Sequence, residues 1–279
     1  MNIKVLGPLS FRHGAVEMAP AAPKPRKLLA LLLLNHQRVI SVPTLIDELW
    51  QAGAPNTART ALQVYVFNLR KKVAQVTGLS PSEVAETVLQ KAPNGYRFAV
   101  DPGQFDLRTF RWLERAGGTA LAAGDLRSAA QHFHRALDLW RGPAVADVEA
   151  GIGIRAEIAA LEHARMTMLD YRIELDLRLG LHRELLSELA VLTSRYPCHE
   201  VLHAQYMIAL YRSGHRIRAL EVFQDLRNRL IGEHGLEPSA TLRRCHQAVL
   251  ALDPALDEAE VVPLPLAPAA DLPAQASSF

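Results

Sequence analysis

PNTARTALQVYVFNLRKKVAQV, Pro55 to Val76, is the stretch from which the rest of the chain is best read. At 100° per residue, Ala58, Leu62, Tyr65, Val66, Leu69 and Val73 fall on one apolar stripe of an amphipathic helix. Thr60, Gln63, Val64, Phe67 and Lys71 fall on the other side, bordered by Arg59, Asn68 and Arg70. Pro55 with Asn56 or Thr57 is expected to supply the entry turn and N-cap. The outer side carries no acid. It offers an amide, a hydroxyl, two apolar groups and a rim of cations, a mixture suited to a DNA major groove, where amides and hydroxyls read base edges and cations meet phosphates. An ordinary solvated helix face has the same polarity, so the neighbouring segments decide.

Upstream, residues 2–18 hold three short β-type runs, Ile3 to Leu6, Leu9 to Arg12 and Ala15 to Met18. Gly7-Pro8 and His13-Gly14 separate them, which predicts a small antiparallel sheet with tight turns. Pro20 to Pro25 breaks the chain, and Leu28 to His36 is apolar all round, as in a helix buried on most sides. Ser41 is placed to cap a second helix, Val42 to Trp50, and Gln51 to Ala54 reads as a loop. Downstream, Thr77 to Glu86 reads as a polar connector. In Thr87 to Val100, two β runs flank Pro93-Asn94-Gly95, where Asn-Gly is expected to accept the positive φ of a hairpin turn. That hairpin carries Gln90, Lys91, Asn94 and Arg97 and no acid. Sheet, three helices and basic hairpin predict a winged helix-turn-helix of the OmpR/PhoB response-regulator type over residues 1–100.

Charge supports this division. Residues 1–100 carry 12 Lys/Arg against 5 Asp/Glu, the remainder 19 against 24, and no lysine follows Lys91. A basic first third is expected to meet a polyanion and an acidic remainder to meet protein. The 49% hydrophobic and 6% aromatic content fits an Ala/Leu-rich helical protein. Two cysteines at unrelated spacing fit a reducing compartment. The longest apolar run, Leu28 to Leu34, is too short for a membrane span, and Met1 to Arg12 lacks the order of a secretory leader. A cytoplasmic protein is expected.

From Phe105 to about Leu252 the pattern is helical, and a repeat emerges: GDLRSAAQHF from Gly124, GLHRELLSEL from Gly180 and GHRIRALEVF from Gly214. The last two start 34 residues apart, the tetratricopeptide period. Each Gly is expected to end one helix so that the next packs back antiparallel. Gly142 to Gly153 reads as a loop before a long helix, Ile154 to Leu179. Such a domain (105–252) usually holds another protein or another segment of its own chain; a bundle that only enlarges the core is the plainer alternative. Residues 253–279 are Pro/Ala-rich and expected to be disordered.

No metal site or cofactor is expected. His199 and His203 have an i,i+4 spacing that can bind zinc, and Cys198 adjoins them, but no second carboxylate or cysteine pair completes the set. His132 and His134 cannot share a helical face, and Cys245-His246 is no more persuasive. Without a P-loop or a G-x-S-x-G elbow, an enzyme is not expected.

The succession LQVYVFNLRKKV, PNGYRF, FDLRTFRWLERA, ALDLWRG (Ala136 to Gly142), RLGLHRELLSEL and GLEPS resembles the Streptomyces antibiotic regulatory protein family, over roughly residues 1–252. In that family the helical part is the bacterial transcriptional activation domain, and this chain looks like its small form. The resemblance implies an activator of a secondary-metabolite gene cluster. It also implies binding to tandem direct repeats of double-stranded promoter DNA near the −35 region, as a homodimer or tandem pair, and contact with RNA polymerase and its σ factor. Implied DNA contacts are Arg59, Thr60, Gln63, Val64, Asn68, Arg70 and Lys71 on the helix, and Lys91, Asn94, Tyr96 and Arg97 on the wing. Gln63 and Thr60 are expected to read bases, Arg70 and Lys71 to set affinity. Phe67 departs from the smaller polar residue expected there, and thymine methyls or sugar are its candidate contacts. Tyr96 has the alternative of packing the wing on the helix, and Trp50 that of the core rather than phosphate. The loop Gln51 to Asn56 is a candidate σ contact by likeness to response-regulator winged helices. Rival assignments are a repeat scaffold with a docking winged helix, and a repressor using the same contacts.

Overall fold

The computed structural model describes residues 1–99 and 104–256, which divide into two compact units. The first comprises Met1–Trp112 with Ala136–Arg165; the second comprises Leu113–Arg135 and the chain from Met166. The loop read from sequence between helices of the second domain, with part of the long helix after it, therefore folds within the first unit.

In the first unit, strands β1 (Asn2–Lys4), β2 (Ser10–His13), β3 (Val16–Glu17) and β7 (Gln104–Phe105) form one sheet in the order β3-β2-β1-β7. β1 pairs antiparallel with β2, Ile3 opposite Phe11, and parallel with β7, a strand that two residues of sequence could not announce. Beyond β1 the backbone continues to pair: Val145 N–H donates to Val5 O and Arg141 N–H to Leu6 O, both at 2.9 Å. Gly7, at φ +140°, lies where a Cβ would meet Arg141 Cβ at 2.9 Å, so the close approach and the backbone conformation both require glycine.

Helix α1 (Pro23–Leu34) starts before the expected Leu28, because Pro23 and Pro25 occupy its first turn, where a missing N–H costs nothing. Every residue from Lys27 to Leu34 is buried. β4 (Ile40–Ser41) leads into α2 (Val42–Trp50), whose Thr44 N–H donates to Ser41 Oγ at 3.2 Å, the expected cap. A 3₁₀ turn, Gln51–Gly53, precedes α3 (Ala58–Thr77). The polar connector contains a further helix, α4 (Pro81–Thr87), closed by a capping box between Ser80 and Glu83. β5 (Leu89–Ala92) and β6 (Gly95–Phe98) form the hairpin, and β6 also pairs with β4. Phe11 meets Phe98 edge to face at 5.8 Å.

Glu48 of α2 is buried, yet its carboxylate is satisfied. It accepts N–H bonds from Gly151 at 2.6 Å and Gly153 at 2.8 Å, where α7 (Ile152–Arg178) begins. A Cβ on Gly151 would lie 2.5 Å from the Glu48 carboxylate carbon, so glycine is required there by space.

The second unit is helical. The boundary between units falls within α5 (Asp106–Ala122), α6 (Leu126–Leu137) and α7, and α8 (Leu185–Arg195), α9 (Glu200–Arg212), α10 (Arg216–Arg229) and α11 (Ala240–Ala251) follow. The repeat glycines behave as the spacing predicts: Gly124, Gly180 and Gly214 have φ of +77°, +83° and +83°. After each, the next N–H reaches back to the carbonyl five residues earlier, from Asp125 to Ala120, Leu181 to Asp176 and His215 to Leu210. α9 is central, burying Leu202, Met207, Ile208 and Leu210 against α8, α10 and α11. The helical unit runs past the expected tail boundary at Asp253: Leu256 is fully buried and its carbonyl accepts Arg212 Nε at 2.7 Å. The rest of the Pro/Ala-rich segment, from residue 257, lies outside the described residues, as do residues 100–103. Among the described residues no helix is long and apolar enough to cross a membrane.

Candidate nucleic-acid interface

α3 carries the main surface. Its stripe Ala58, Leu62, Val66, Leu69 and Val73 is buried, whereas Arg59, Thr60, Gln63, Val64, Phe67, Asn68 and Lys71 are all exposed. Val64 and Phe67 stand 49% and 63% open, large apolar side chains the core does not use. The helix starts without a side-chain cap and without an acid in its first turn; Ala58 N–H is held by Pro55 O at 2.9 Å instead of by Asn56 or Thr57. Its positive end is therefore unneutralised.

Tyr65, half-buried, stacks on Trp50 with ring centroids 6.1 Å apart, and Lys24 Nζ sits 5.0 Å from the Trp50 ring centroid. Trp50, half-buried, thus joins α2 to α3. Arg70 departs from its sequence role. Its Nε and Nη2 both donate to Leu89 O, at 2.9 and 2.6 Å, and its guanidinium lies 6.0 Å over the Tyr96 ring. Burial lowers its pKa, with Tyr96 opposing the shift. Tyr96 is buried, the packing alternative. Arg97 is bound across the hairpin to Gln90 Oε1, so that of the expected wing contacts Lys91 and Asn94 are the exposed ones.

The hairpin forms where expected but for a different reason. Neither Asn94 nor Gly95 has positive φ. Pro93 and Asn94 make the turn, and Gly95 belongs to β6, where a Cβ would sit 2.0 Å from Ile40 O. Glycine is needed for the approach of β4, a contact that sequence cannot show. Val42 N–H then donates to Asn94 O at 2.9 Å, fixing the turn to the start of α2. Between the first turns of α3 and the wing a cleft opens, lined by Val42, Arg59, Gln63, Lys91 and Asn94. Two cations and two amides line it, Arg59 and Gln63 on α3, Lys91 on β5 and Asn94 in the hairpin turn.

His199 and His203 have internal uses. His199 Nδ1 accepts the Leu202 N–H at 3.3 Å as the cap of α9, and His203, buried, hydrogen-bonds through Nδ1 to His199 O at 3.0 Å.

Comparisons with known proteins agree with this architecture. Residues 17–98 match the family model "Transcriptional regulatory protein, C terminal", and residues 105–250 match "Bacterial transcriptional activator domain". Regulatory protein DnrI of Streptomyces peucetius is 45% identical over 257 residues, 92% of this chain and 94% of that protein. Regulatory protein AfsR of Streptomyces coelicolor is 37% identical along all of this chain, which spans only 27% of AfsR. The solved structure of Mycobacterium tuberculosis EmbR in complex with a low-affinity phosphopeptide superposes with a TM-score of 0.83 at 31% identity, over 90% of this chain and 65% of that one. Both matched family models describe domains of transcriptional regulators. With both domains matched in order, and a regulator aligned over nearly its whole length, this chain belongs to the Streptomyces antibiotic regulatory protein family of transcriptional activators.

Proposed function

We propose that the chain grips promoter DNA through the outer face of α3 and the wing, and activates a secondary-metabolite gene cluster by bringing RNA polymerase and its σ factor to that promoter. The observation that carries this is the exposed, acid-free set Arg59, Thr60, Gln63, Val64, Phe67, Asn68 and Lys71, beside Lys91 and Asn94. Gln63 and Thr60 are assigned to base edges, Val64 and Phe67 to thymine methyls or sugar, and Arg59, Lys71 and Lys91 to phosphates. Arg70 and Tyr96 act indirectly, by fixing the hairpin to the helix; Arg97 braces the wing, and Trp50, stacked on Tyr65 of α3, is assigned to a phosphate contact. Tandem direct repeats near the −35 region, spaced by about one helical turn or a multiple, suit copies bound on one face of the duplex as a homodimer or tandem pair. Polymerase contacts are assigned to the Gln51 to Asn56 segment and to the helical domain, and the compartment to the cytoplasm.

Footprinting on the DNA upstream of the gene, followed by transcription in vitro with purified polymerase, tests this. Protected direct repeats and raised transcript support the proposal. Protection with lowered transcript makes the protein a repressor, and no protection leaves the scaffold reading.

A further inference from the structure

We propose that the helical unit holds a zinc ion between Cys198, His234 and Glu233. Cys198 lies in the turn between α8 and α9, and Glu233 and His234 in a π-helical turn, Leu230–His234, that extends α10. Cys198 Sγ is 3.6 Å from His234 Nε2, and one Glu233 oxygen joins them so that all three ligand atoms lie within 4.8 Å of one another. Among the described residues no other three His, Cys, Asp or Glu converge in this way. With Zn–S near 2.3 Å and Zn–N near 2.05 Å, a tetrahedral centre spaces its sulfur and nitrogen ligands by about 3.6 Å. The Cys198–His234 pair therefore stands at the edge length of a zinc tetrahedron, with the Glu233 carboxylate close beside it. Thiolate, imidazole and carboxylate together select zinc over magnesium or calcium.

One feature of the fold favours the site. The π turn narrows the angle between the adjacent side chains of Glu233 and His234, and such turns concentrate at functional sites. Glu233 also faces Arg229 Nε at 3.7 Å, a loose exposed pair that releases the carboxylate without difficulty. Three protein ligands leave a fourth position for water or a partner's donor. The sequence expectation of no metal site weighed only near neighbours, whereas Cys198 and His234 are 36 residues apart.

The test uses the full chain stripped with chelator and titrated with Co²⁺, then Zn²⁺. One equivalent of Co²⁺ should give thiolate-to-metal charge-transfer absorption and tetrahedral visible bands, both removed by Zn²⁺. Burial pushes the Cys245 thiol up to about 12, so a thiolate band reports Cys198. Cys198→Ser should abolish the band, and His234→Ala should weaken zinc binding by at least about tenfold, with helicity unchanged because His234 is exposed and Cys198 half-buried. A parent protein that takes up Co²⁺ without a thiolate band, or not at all, overturns the proposal. So does zinc affinity equal in the parent and both variants, which would leave a thiol–imidazole hydrogen bond as the whole account of the pair.

Discussion

Arg70 of the third helix donates from two guanidinium nitrogens, Nε and Nη2, to the carbonyl oxygen of Leu89, the first residue of the wing's first strand. A cation that charge pattern alone assigns to phosphate is thereby committed to the protein. Arg70→Ala should destabilise the fold by about 1.5–3 kcal/mol, the worth of hydrogen bonds to a charged group. It should weaken DNA binding with little change in salt dependence, because the wing is displaced while no phosphate contact is lost. Thermal unfolding and binding isotherms at several salt concentrations check this. A slope reduced by a full ion would make Arg70 a direct phosphate ligand.

Lys71, one residue on, is exposed. Lys71→Ala should lower affinity to a similar degree on every operator variant and reduce the log–log salt slope by about 0.9. Gln63→Ala should instead cost about 1–3 kcal/mol on the preferred operator, less on altered ones, and leave the slope unchanged. Identical profiles for the two variants would refute this sorting of roles.

Glu48 and Gly151 make a further paired prediction. Glu48→Gln keeps one acceptor for two N–H donors, one buried and one half-buried, and turns an amide group toward the other, at a cost of about 1–3 kcal/mol. Gly151→Ala drives a methyl to 2.5 Å from the Glu48 carboxylate carbon and should cost a similar amount, about 1–3 kcal/mol. Denaturant melts of the two single variants and the double variant measure their coupling; strict additivity would mean the contact is energetically idle.

Asp170 sets a pH dependence. Burial pushes its carboxyl up to about 7. Its Oδ1 is buried without a hydrogen-bond partner, and His199 Nε2 is 3.7 Å from Oδ2. A carboxyl raised in the folded state contributes stability fully below its unfolded pKa near 3.9, and that stability is lost as pH rises through about 7. Asp170→Asn should therefore gain on the parent between pH 5 and 7, by up to about 1.4 kcal/mol per pH unit, and hold that gain above. Melting temperatures of both proteins at pH 5, 7 and 8 decide it. A gap that does not change with pH would show that the carboxyl titrates normally.

What the sequence determined by itself is whatever a single segment's periodicity and punctuation can specify. The buried stripe of α3 and its open face, the Ser41 cap, the hairpin's place and the left-handed glycines after α5, α7 and α9 are of this kind. Their causes lie within one to two helical turns or one hairpin. α4 is missed, its polar segment reading as a connector, although the Ser80–Glu83 capping box is the signal that could have found it. Only the tertiary structure decided that Arg70 braces the wing, that Gly95 serves a close strand approach, that Glu48 is answered by Gly151, and that Cys198 meets His234. These depend on distances between segments 19 to 103 residues apart, which no local pattern encodes. A charged or small residue looks the same in sequence whether water, DNA or its own backbone satisfies it, and packing alone settles which.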